Sequence, residues 1–162
     1  MLIRILTLVG AAAALAAPAP QAGTGSESPT LNSTKPFEIE RLYMSMDSVW
    51  DTSTGTDVKI SITDPNSGIS TICDTSDVLA NTVYSCERDQ TTWAFNYDFS
   101  NLSVEWAWEL GELVPNSETH YIGNGTAAVS WNCASSGSNG QQCFANNFNV
   151  PVQKLSAWRV GR

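Results

Sequence analysis

The stretch Trp93-Ala94-Phe95-Asn96-Tyr97-Asp98-Phe99-Ser100-Asn101-Leu102-Ser103-Val104-Glu105-Trp106-Ala107-Trp108-Glu109-Leu110 decides the fold class. Trp93, Phe95, Tyr97 and Phe99 fall on odd positions, and Leu102, Val104, Trp106, Trp108 and Leu110 on even ones. Such alternation marks two half-buried strands, and the change of parity places a turn between them. A two-residue turn at Ser100-Asn101 reconciles the two halves, and because Ser-Asn is not the preferred tight-turn pair a loop longer by one or two residues is the alternative. It sets Phe95 opposite Trp106, Trp93 opposite Trp108, Tyr97 opposite Val104 and Asn96 opposite Glu105.

The same period extends outward. Val58, Ile60 and Ile62 alternate, meet the turn cluster Asp64-Pro65-Asn66-Ser67-Gly68, and resume as an extended run from Ile69 to Cys73, which predicts a hairpin. Phe37 and Ile39 share one parity while Leu42, Met44 and Met46 share the other, so a strand there carries an extra residue near Glu40 or Arg41. Strands are also expected over 83–86, 127–133 and 148–152, with shorter patterns at 119–122 and 154–158. Val78 and Leu79 fit a helical turn as readily as a loop. No segment after the leader keeps apolar residues at helical spacing for three turns. The expected fold is all-β, a single compact antiparallel β-sandwich or barrel over 36–162.

Met1 to Ala16 has one cation, Arg4, an apolar run from Ile5 to Leu15, and the small-x-small end Ala14-Leu15-Ala16. This is the form of a cleavable export signal, and Pro18 and Pro20 end the run short of a membrane span. Residues 17–35, rich in Pro, Ala, Ser and Thr, read as a disordered arm. The expected location is extracellular. Once Arg4 leaves with the leader, seven Lys and Arg face sixteen Asp and Glu, a net charge of −9. Arg41, Lys59 and Arg88 are scattered, so no nucleic-acid partner is expected, and no membrane partner either. Asn-x-Ser/Thr acceptor triplets begin at Asn32, Asn101 and Asn124, and their use would place Asn101 and Asn124 on exposed loops.

Four cysteines in an exported chain imply disulfides. Three connectivities are open. The local pairs, Cys73 with Cys86 and Cys133 with Cys143, are favoured because each would clip a loop beside a predicted strand, contributing roughly 3 kcal/mol apiece on a chain-entropy basis. Nothing has the spacing of a metal site, the only histidine, His120, is isolated, and no cofactor is expected.

Phe37-x-Ile39, Val58-x-Ile60-x-Ile62 before Cys73, Cys86 followed by Trp93-Ala94-Phe95, Trp131-x-Cys133 with Cys143, and Pro151-Val152 together resemble the Alternaria major-allergen-like family of small secreted fungal β-barrel proteins. The resemblance covers roughly Phe37 to Trp158 by pattern rather than by a sharp motif. It implies a barrel or sandwich with two sequence-local disulfides and a non-enzymatic protein of the effector and allergen type, associated with plant infection and defence elicitation. It also implies a host extracellular partner, such as a plant defence protein of the thaumatin-like class. The chain lacks the additional cysteine near the mature N-terminus that links some members covalently, so the resemblance implies a monomer or a noncovalent dimer.

The chemistry-bearing residues carry no catalytic pattern. Glu105 and Glu109 share a strand face, but four residues of strand separate their Cα atoms by about 13 Å, beyond the roughly 5 to 9.5 Å carboxyl separations of glycosidases. Asp98, Glu112 and Glu118 read as solvated acids. His120 has no Gly-x-Ser-x-Gly partner. Gly123-Asn124-Gly125 reads as a hairpin turn. Trp93, Phe95, Trp106 and Trp108 read as core, leaving Trp50 and Trp158 as surface aromatics for the alternative function, a small carbohydrate-binding or carbohydrate-active sandwich that would take cell-wall polysaccharide. Loop tips at 64–68, 74–81 and 134–142 are the expected display positions, with no binding residue assigned.

Overall fold

A computed structural model describes residues 29–46, 56–109, 112–114, 119–136 and 140–159. The leader, residues 17–28 of the arm, Trp50, Glu118 and the tip 137–139 lie outside the described residues. Of the arm, Pro29–Lys35 are placed: a 3-10 turn at Leu31–Ser33 leads to Lys35, whose N–H and C=O both bond the side-chain amide of Asn66 at 2.7 and 3.0 Å.

Among the described residues eleven strands follow in chain order: β1 (Phe37–Met46), β2 (Thr56–Asp64), β3 (Ile69–Thr75), β4 (Tyr84–Ser85), β5 (Thr91–Phe95), β6 (Asn101–Trp108), β7 (Thr119–Ala128), β8 (Trp131–Ser136), β9 (Gly140–Ala145), β10 (Phe148–Val150) and β11 (Lys154–Arg159). They form two antiparallel sheets. The first runs β3-β2-β1-β9-β8, with β10 on β1, and the second runs β11-β7-β6-β5-β4. The chain is therefore all-β, as its alternation predicts.

The inner faces share one core. Phe37 and Ile39 of the first sheet meet the second, the Phe37 ring lying 6.0 Å from that of Trp106 and 6.1 Å from that of Trp108. The bulge falls where the parity changes: pairing of β1 with β2 slips between Glu40 and Tyr43, and Arg41 takes φ 54°. That extra residue keeps Ile39 and Leu42 both inward.

The β5–β6 hairpin corrects the expected register. Phe95 pairs with Leu102, Trp93 with Val104, Thr91 with Trp106 and Thr92, not Asn96, with Glu105. The connection is the five residues 96–100. The Asn96 side chain accepts from the Asn101 N–H at 2.8 Å, Asp98 accepts from the Ser100 N–H and hydroxyl at 3.1 and 2.6 Å, and Phe99 adopts φ 58° with its ring in the core. Tyr97 therefore leaves the strand and is 83% exposed. Because the slip is an even number of residues, the remaining side chains keep their faces.

Gly123-Asn124-Gly125 is not a turn but the middle of β7, flanked by β6 and β11. A Cβ on Gly123 would sit 2.6 Å from the Trp108 ring, and one on Gly125 would fall on the Pro151 carbonyl oxygen, so both positions require glycine for close approach. Asn124 is thus in a central strand, and Asn101 opens β6, so neither acceptor lies on the expected loop.

Asp64 links the sheets. It is fully buried at the end of β2, and its carboxyl oxygens accept from Trp108 Nε1 at 2.6 Å, from the Asn66 N–H and side-chain amide, and from the Ser67 N–H and hydroxyl. Trp93 and Trp106, also buried, have indole N–H groups without a partner among the described residues. Two staples add to this. Cys73–Cys86 ties β3 to the segment after β4, where Glu87 N–H also bonds Ile72 O at 2.9 Å, and Cys133–Cys143 joins directly opposed residues of β8 and β9.

Replacing Asp64 by Ala is expected to cost about 3 kcal/mol, since it strands the buried Trp108 indole N–H and the part-buried donors of Asn66 and Ser67. Asp74→Ala, which removes only an exposed ion pair with Lys59, is expected to cost less than about 0.5 kcal/mol. Urea denaturation of the two variants checks the contrast. The Ser100 hydroxyl, then its N–H, holds the exposed Asp98 carboxyl below the usual aspartate range. The loop contacts are complete above the ordinary aspartate range and are lost as pH falls through the lowered value. An NMR titration should find that midpoint below a free aspartate side chain, and Ser100→Ala should move it upward.

Candidate interaction surfaces

The outer faces of the two sheets carry different chemistry. On the first, alternation sends Tyr43 of β1 and Phe144 of β9 outward, and their registration places them directly opposite each other, 37% and 55% exposed. Cross-strand partners of this kind have Cβ atoms about 5 Å apart, so the two aromatic side chains are neighbours on this face. Their row continues through Lys59 to Asp74 on one side and to Asn132 on the other. Lys59 Nζ lies 2.8 Å from Asp74 Oδ2, and that hydrogen bond, with the carboxylate's charge, raises the Lys59 pKa above the usual lysine value. Glu38, Glu40, Asp57 and Asp74 share the face with Arg41 and Lys59, leaving it acidic by two charges. Ile72 of β3 adds an exposed aliphatic side chain to this face.

The second sheet's outer face holds a groove of about 330 Å³ across β5, β6 and β7. Thr92, Ser103, Asn124, Thr126 and Gln153 supply neutral hydrogen-bonding groups, and Glu105 one carboxylate. Ser103 and Thr126 bond each other through their hydroxyls at 2.9 Å. Toward the end of β7, His120 and Trp158 of β11 are registered opposite each other and stack with centroids 5.3 Å apart, Trp158 being 43% exposed. His120 is thus an aromatic partner in this face.

The acids considered from the sequence do not converge. Glu105 lies between Thr92 and Asn124 in its row, while Glu109 lies past the end of β6 and accepts from Gln90 at 2.6 Å. Glu112 is held by Arg88 through two bonds of 2.8 and 3.0 Å and accepts the Glu109 N–H. Arg88 also donates to Ala107 O and lies 4.7 Å over the Trp106 ring. An arginine that reads as a scattered surface charge is thus a largely buried structural cation, a role that its contact 24 residues away leaves no local trace of. Among the described residues no group of three His, Cys, Asp or Glu side chains could hold a metal ion.

The loop tips behave unequally. The 64–68 turn is drawn inward by Asp64 rather than displayed, because its donors satisfy a buried carboxyl. In 74–81, Val78 is core, its N–H bonded to Thr56 O at 2.8 Å, while Leu79 is exposed; neither residue is helical. Most of 134–142 is strand.

No family model matches the chain, and a search of curated proteins finds no match. Among solved structures the chain is similar to the crystal structure of the Alternaria alternata allergen Alt a 1, at 17% identity and a TM-score of 0.55, over 83% of this chain and 98% of that one. The likeness is a distant one of fold, spanning nearly the whole of the allergen chain.

Proposed function

We propose that this chain is a non-enzymatic, secreted interaction protein of the fungal effector and allergen type, which binds a basic extracellular protein of a host through the outer face of its first sheet. The observation that carries this reading is the exposed Tyr43–Phe144 pair on an acidic face. Paired aromatics surrounded by polar side chains supply the apolar centre that protein partners bury, and tyrosine is enriched at such centres. The acidic rim favours a partner of opposite charge. Two disulfides suit an oxidising, extracellular compartment, and the similar solved structure is described as an allergen. The structural engagement of Asp64, Asp98, Glu109 and Glu112 supports the non-enzymatic part.

Plant extracellular fluid passed over the immobilised protein should leave a basic protein bound, with affinity falling as salt rises. The double variant Tyr43→Ala/Phe144→Ala should bind about tenfold or more weakly while melting as the parent does. Unchanged binding by the double variant overturns the assignment of this face.

A second reading, carbohydrate binding, has its own observation: the outward Trp158 ring braced by His120. Pyranose rings stack on such faces, and Trp93, Trp106 and Trp108 are buried. Soluble glucan or xylan should then shift tryptophan fluorescence in the parent and not in Trp158→Ala. A parent without any shift removes this reading.

A further inference from the structure

The groove on the second sheet and the acceptor triplet Asn124-Gly125-Thr126 occupy the same place. Tyr121, Gly123 and Gly125 point inward, so His120, Ile122, Asn124 and Thr126 point outward, and Asn124 lines the groove. Its side-chain amide has no hydrogen-bond partner among the described residues, whereas the Asn101 amide donates to Ser100 Oγ at 3.0 Å. The groove beside Asn124 is lined by Thr92 and Ser103 and by the Glu105 carboxylate, which is registered directly opposite Asn124, and by Gln153, whose Nε2 donates to Thr126 O at 3.1 Å. Ala94, registered beside Ser103, adds only a methyl group to the lining.

We propose that this groove is the seat of the protein's own N-linked glycan, carried on Asn124, whose first sugars lie against Thr92, Ser103 and Gln153. A polyhydroxylated chain fits a wall of hydroxyls and amides with one carboxylate, Glu105, beside Asn124, because sugar hydroxyls can donate to each of these acceptors, and the covalent link supplies the occupant at high effective concentration. Attachment joins Asn124 Nδ2 to the anomeric carbon of the first sugar. The bond from that carbon to a lipid pyrophosphate donor breaks, the pyrophosphate leaves with the electron pair, and Nδ2 loses one proton. Since β6 and β11 flank Asn124 in the folded sheet, transfer precedes folding, and the glycan is then laid down with the sheet. The inference rests on the export part of the proposed function and not on its partner.

The full chain is secreted from yeast with its own leader and, in parallel, with a yeast leader, and glycopeptides are identified by mass spectrometry. Asn124 should be occupied, and Asn124→Gln should remove that glycan alone. In the native protein an amide-cleaving glycosidase should release the Asn124 glycan about tenfold or more slowly than after denaturation. Thr92→Ala/Gln153→Ala, which leaves the triplet intact, should speed native release. A secreted protein with bare Asn124, or native release as fast as denatured release, overturns the proposal. Failure of secretion with the chain's own leader alone overturns the export reading, while the other sample still decides the site.

Discussion

The hydrogen bond from Trp108 to the buried Asp64 carboxyl is the constraint around which the two sheets are set. A carboxyl removed from water is costly unless its oxygens are bonded, and here three residues supply the donors. Asn66 and Ser67 satisfy it from its own turn, and Trp108 satisfies it from the opposite sheet, 44 residues away. The turn that wraps Asp64 then offers the Asn66 amide to Lys35, which fastens the chain entering β1. The Trp108 ring that bonds Asp64 lies against Gly123, where a Cβ would sit 2.6 Å from it, so that position of β7 requires glycine. One buried polar contact thus fixes a turn, an entry segment and the side-chain size allowed in a third strand.

The sequence pattern foretells which side chains face inward better than which residues meet. Trp93, Phe95, Leu102, Val104, Trp106 and Trp108 all lie in the core although the hairpin register differs from the one that alternation suggests. Parity survives a slip of even length, whereas register depends on the loop. The loop is set by Asn96, Asp98, Ser100 and a left-handed Phe99 that imitate a continuing strand when only polarity is considered. Gly123-Asn124-Gly125 misleads for a related reason. Glycine there answers to Trp108 and Pro151, which are distant in sequence, rather than to a local reversal of the chain. Asp64 with Trp108 and Arg88 with Glu112 are likewise partnerships made by topology, and a single sequence carries no local signal of them.

The candidate surfaces were legible only in part. Trp158 reads as a surface aromatic and is exposed, but Tyr43 and Phe144 gave no signal, because each appears alone in its own segment and the pairing of β1 with β9 brings them together. The cysteines were informative in a different way. Their local pairing holds β8 to β9 and β3 to the second sheet, so the strands that present Phe144 and Ile72 are held in place before any partner arrives. Side chains on such a frame lose less freedom on binding than side chains on a mobile loop.

The separation of chemistry between the faces follows from this arrangement. Charge on an exposed sheet acts over about 8 Å at physiological salt. The acids around Tyr43 and Phe144 are therefore felt by a molecule approaching that face and little by one approaching the other. On the second sheet, Gly123 and Gly125 lie close against Trp108 and Pro151 on the inner side, and the outer side carries a hollow lined mainly by hydroxyls and amides, with the Glu105 carboxylate. A sugar chain is met by hydroxyls and amides, and those predominate in this lining. An acidic face with exposed aromatics suits a basic protein, a hollow of hydroxyls and amides suits carbohydrate, and one stapled sandwich presents both because its two sheets must each leave one side to water.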